Sequence, residues 1–157
     1  MSPEFDVNHE SKRQMIPRFR HILVPLSFSP KNEPALEIAF EIAEVNAARV
    51  TLLHVIERID AAAEDDETAA FYQRLQQRAD SELESRSQRF AEAGVDVEYK
   101  LRWGKPVAEI VRYVDERDVD LIIMSSHTID ASEPVKSLAS VSYQSSILAP
   151  CPVLLVK

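Results

Sequence analysis

Leu121, Ile122, Ile123 and Met124 follow one another without a polar break, and so do Val153, Leu154, Leu155 and Val156. Unbroken apolar runs of this length suit strands covered on both faces, as in a parallel sheet. Between them Val135, Leu138, Val141, Ser145 and Leu148 fall at helical spacing over about twenty residues, a pattern ended by Pro150. Strand, loop, helix and strand make one βαβ unit. Ligands of such sheets bind outside the carboxyl ends of the strands, so the loop that begins at Ser125 is the first place to look for a site.

The preceding residues repeat the alternation. Residues 21–26 read as a first strand with Ile22, Leu23 and Val24 inside. Pro25 and Pro30 bracket a turn, and a helix begins near Asn32, capped by Asn32 or Ser29. Leu36, Ala39, Phe40 and Ala43 mark its buried face. Residues 49–56 form the second strand. An acidic, Ala-rich loop covers 57–67, and a second helix runs over 68–93 with Phe71, Leu75, Ala79, Leu83 and Phe90 as its inner stripe. Gly94 ends it as a left-handed cap. Val95, Val97, Tyr99, Leu101 and Trp103 then alternate with charged residues, which predicts an edge strand with one wetter face. Gly104 turns the chain. Pro106 opens a third helix with Val107, Ile110, Val111 and Val114 inward.

Five strands alternating with four helices predict a parallel α/β sheet with helices on both faces. Right-handed crossovers leave few topologies, and the expected strand order is 3-2-1-4-5, reversing between the first and fourth strands. One domain over 18–157 is expected, preceded by a flexible arm at 1–17. The formal net charge of -8 argues against a nucleic-acid surface. No apolar run approaches a membrane span, and the amino-terminal residues do not read as a secretory signal. Cys151 is the single cysteine, so neither an intrachain disulfide nor a cysteine metal cluster is expected, and a cytoplasmic location fits. His54 reads as a strand histidine bonded to backbone, because no nucleophile or metal ligand stands at a recognisable spacing. Trp103 reads as a cover for the core edge.

Five stretches together resemble the universal stress protein family: RHILVPLSFSP at 20–30, LLHVIE at 52–57, GKPVAEI at 104–110, DLIIMSSH at 120–127 and APCPVLLV at 149–156. The resemblance covers about 18–157 and implies a Rossmann-like domain and a homodimer, in which Val153, Leu154, Leu155 and Val156 pair across the axis. ATP-binding members resemble one another in a Gly-x2-Gly-x9-Gly-Ser/Thr motif, whose glycines let backbone N–H groups approach the phosphates. This chain has Ser125, Thr128 and Ala139 at those positions, with one residue more between the last two, and keeps Ser140. The family's adenosine-contacting Asp is Ser27 here, while Val55 and Met124 match positions that line the adenine pocket. His127 matches a common family histidine and reads as a loop-shaping group.

The residues agree with those departures. Thr128 is β-branched and poorly suited to positive φ. Glu57, Asp60, Glu64, Asp65, Asp66, Glu67, Asp130 and Glu133 crowd the expected strand-end loops against Lys31, Arg58 and Lys136. A triphosphate of about four negative charges would need Mg²⁺ or more cations there. The serines of the last helix read as small residues that let it pack closely, and phosphorylation of them stays open. The expectation is a non-catalytic stress-response protein with a degenerate nucleotide site and no metal, acting through contacts with an unidentified protein. The alternatives are a regulatory module that binds ATP or AMP through Ser27, Val55, Met124, Ser125, Thr128 and Ser140, and a slow ATPase.

Overall fold

Ile22, Leu23 and Val24 are wholly buried at the centre of a five-stranded parallel sheet. The computed structural model describes residues 18–59, 65–126, 131–133, 135–136 and 139–157. The strands are β1 (His21–Pro25), β2 (Arg49–Ile56), β3 (Val97–Trp103), β4 (Leu121–Ser125) and β5 (Val153–Val156). The helices are α1 (Glu33–Asn46), α2 (Asp66–Glu92), α3 (Pro106–Arg117) and α4 (Val141–Leu148). The sheet order β3-β2-β1-β4-β5 is the expected one, and every pairing is parallel. The arm expected at 1–17 lies outside the described residues.

Alternation of side chains along each strand splits the core. One half holds Ile22, Val24, Val50 and Leu52 with Ala39, Leu83 and Phe90 from α1 and α2. The other holds Leu23, Leu53 and Ile122 with Ile110, Tyr113 and Val114 from α3. Helices on both faces therefore satisfy the two-sided burial that the apolar strands demand.

Several local expectations need correction. Asn32 does not cap α1. It ends a 3-10 turn, Pro30–Asn32, which Ser29 caps by accepting from the Lys31 N–H. On α2 the inner stripe starts late: Ala79, Leu83 and Phe90 are buried, but Phe71 is 47% exposed, because the first turns overhang the sheet edge. On α3 the deepest side chains include Tyr113 and Glu109, while Val107 and Val111 are half-buried. Tyr113 wins its place through its hydroxyl, which donates to Glu98 Oε1 at 3.2 Å, beside Thr51 and His21.

The last helix differs most. α4 starts at Val141, with Ser140 as its N-cap, and buries Ser142, Tyr143 and Ser145. Val135, Val141 and Leu148, expected on the inner stripe, are exposed, and Leu138 lies outside the described residues. The small serines face inward because they permit close approach to α3 and the sheet, as expected of the serine cluster. β5 is an edge of the sheet that no described element covers, with Leu154 39% exposed.

Candidate functional site

The chain leaves β1 and β4 in opposite directions, and the crevice between their carboxyl ends is where a doubly wound sheet can hold a ligand. A cavity of about 310 Å³ lies there. Five of the sequence-predicted residues line it: Ser27 from the end of β1, Val55 from β2, Met124 and Ser125 from β4, and Ser140 before α4. Thr128, the sixth, lies outside the described residues, as does His127.

Asn32 is the residue that sequence reasoning missed. Its side chain is 98% buried, and it joins the two strands across the switch point. Its carbonyl oxygen accepts from the Ser27 N–H at 3.0 Å and lies 3.3 Å from the Ser27 hydroxyl, while its amide donates to Ser125 Oγ at 2.6 Å. An Asn just before a helix reads as a cap. The tight turn Pro30–Asn32 instead points it into the sheet.

The remaining hydroxyls bond one another. Ser140 Oγ lies 3.2 Å from Ser142 Oγ and accepts from the Tyr143 N–H at 3.4 Å. Ser142 Oγ donates to Ser126 Oγ at 3.5 Å. No Lys, Arg, Asp or Glu lines the cavity among the described residues. His54 lines it too, and its Nδ1–H donates to the Leu26 carbonyl at 2.7 Å, the backbone bond expected of it. Burial holds the imidazole below its ordinary pKa, against the opposing pull of that carbonyl. The ring stacks on Phe28 at 4.1 Å, and Phe28 has the left-handed φ of 65°. Leu53, Val55, Ile110 and Met124 supply the apolar walls.

Residues 18–157 match the universal stress protein family along their whole length. The chain belongs to that family. A universal stress protein of Bacillus subtilis, YxiE, is 30% identical over 149 residues, covering 88% of this chain and 99% of its own. The solved structure of the hypothetical protein MJ0577 is similar at 29% identity with a TM-score of 0.75, covering 88% of this chain and 96% of its own. A universal stress protein crystallised in complex with cAMP is similar at 20% identity and a TM-score of 0.66, covering 88% of this chain and 97% of its own.

This universal stress protein has no glycine after β4 that could form a phosphate cradle. Its two glycines are Gly94 and Gly104, both before β4. Among the described residues no group of His, Cys, Asp and Glu could hold a metal ion, and no helix is long and apolar enough to cross a membrane. The acids Asp65, Asp66 and Glu67 lie at the start of α2, where Asp65 accepts from the Thr68 N–H at 2.7 Å and caps the helix.

Proposed function

We propose that this universal stress protein is a non-catalytic binding module whose strand-end cavity takes an adenine nucleoside or its monophosphate in preference to ATP. The observation that carries this is the uncharged lining, whose serines are bonded to Asn32 and to one another. A neutral, largely apolar cavity pays no electrostatic penalty for a nucleoside, and a triphosphate there would meet neither a cation among the described residues nor a glycine cradle. The similar protein in complex with cAMP supports an adenine ligand carrying a single phosphate. The N–H groups of Val141 and Ser142, in the first turn of α4, can serve one phosphate.

The same reading makes the protein a cytoplasmic homodimer that acts through contacts with another protein. Support comes from β5, a half-exposed edge strand flanked by Ile147 and Leu148, which are 76% and 60% exposed. An edge of this kind is covered in a stable protein. Isothermal titration of the purified chain with adenosine, AMP and Mg-ATP tests the ligand. Adenosine or AMP should bind at least about tenfold more tightly than Mg-ATP. Tighter binding of Mg-ATP, or turnover of it, overturns the proposal.

A further inference from the structure

A second cavity, of about 410 Å³, adjoins the first. The two share Ser27, His54 and Val55, and the second continues past the end of β2 to Leu75, Arg78 and Ala79 of α2. Its apolar surface comes from Phe28, Ile56, Leu75 and Ala79, and a single cation and a single carboxylate, Arg78 and Glu57, line it among the described residues.

His54 stands at the junction. Its Nδ1 carries the proton donated to the Leu26 carbonyl, so in the neutral ring Nε2 is a hydrogen-bond acceptor. Nε2 has no hydrogen-bond partner among the described residues. Phe28 fixes the ring from one side, with Arg86 over Phe28 at 5.4 Å. An acceptor held by two contacts at the meeting point of two cavities suits a ligand N–H whose far side carries an apolar group.

The polarity of the first cavity sets the direction of the ligand. Ser125, Ser140, Ser142 and the start of α4 form its polar end, on the β4 side. A sugar or phosphate belongs there, which turns the base toward Val55 and His54 on β2. We propose that the two cavities are one extended site for a nucleoside whose exocyclic amine bears an apolar or aromatic substituent. In that site His54 accepts the remaining amine N–H and the substituent fills the space against Leu75 and Ala79. This rests on the nucleoside reading above and specifies the ligand further.

The test compares adenosine with N6-benzyladenosine by titration calorimetry on the full chain. Burying the benzyl group should tighten binding by about tenfold or more. Leu75→Trp, which fills the second cavity, should abolish that advantage, and a thermal melt shows that the variant is folded. N6-dimethyladenosine, which has no amine N–H, should bind more weakly than N6-methyladenosine to the unaltered protein, a difference that needs no variant. Adenosine binding without a benzyl advantage overturns the extended site and leaves the nucleoside reading standing. Equal binding of the two methylated compounds removes the role of His54. Binding of none of the four overturns both.

Discussion

Asn32 ties the end of β1 to the end of β4 through its side chain. Its three contacts serve Ser27 and Ser125, so its loss strands buried polar groups. Asn32→Ala should cost about 2 kcal/mol, read as a lower midpoint in urea with an unchanged slope. Ser145 gives the opposite expectation. Its hydroxyl is wholly buried and has no hydrogen-bond partner among the described residues. Ser145→Ala should therefore leave stability unchanged or raise it by up to about 1 kcal/mol in the same assay. His54 sets a pH dependence. Its folded pKa lies below the ordinary value, so the unfolded chain takes up the proton first as pH falls. Stability should be flat above about pH 6.5, fall as pH drops toward the folded pKa, and lose that slope in His54→Gln. Melting curves between mildly acidic and neutral pH check the sign.

At the scale of elements, the joints on either side of β3 depend on glycine for different reasons. Gly94 closes α2 with a φ of +79° and open space where a Cβ would stand, so Gly94→Ala meets only the backbone cost, about 1 kcal/mol. Gly104 has a φ of +146°, and a Cβ there would stand 3.0 Å from the Glu109 side chain. Glu109 is held in place by Arg112 at 2.6 Å and Arg102 at 3.6 Å, so it yields poorly. Gly104→Ala should be the more damaging of the two in parallel denaturation curves. α3 itself is pinned by the Tyr113 hydroxyl on Glu98, whereas α4 is anchored by small serines and a single Ser140 cap.

Over the whole molecule the sheet is closed on one side and open on the other. β3 is overhung by α2, with Tyr72 against Trp103 and Arg58 over both rings, so Trp103 covers the edge as expected. β5 has no such cover among the described residues, and this asymmetry is what a β5-to-β5 dimer would use. Leu154→Lys adds a charge at the half-exposed position and spares Val153 and Leu155, which pack on the core. It should shift the chain from dimer to monomer in sedimentation velocity. An unchanged dimer mass would place the interface elsewhere.

Strand order, the alternation of strands and helices, and the core of β1, β2 and β4 were legible in the sequence because they follow from periodicity and from the handedness of crossovers, which are local rules. So, through the family resemblance, were five of the residues that line the cavity: Ser27, Val55, Met124 and Ser125 at strand ends and Ser140 before α4. Ser145 lies inward as the helical stripe predicts, but the exposure of Val141 and Leu148 was not legible, because helical spacing permits either face and only the room beside α3 selects the small side chains. Nor was Asn32: whether a polar residue before a helix caps it or crosses to another strand depends on where that strand lies. The second cavity is tertiary in the same sense. It exists because α2 stands off the end of β2, a distance set by packing between elements far apart in the chain rather than by any run of residues.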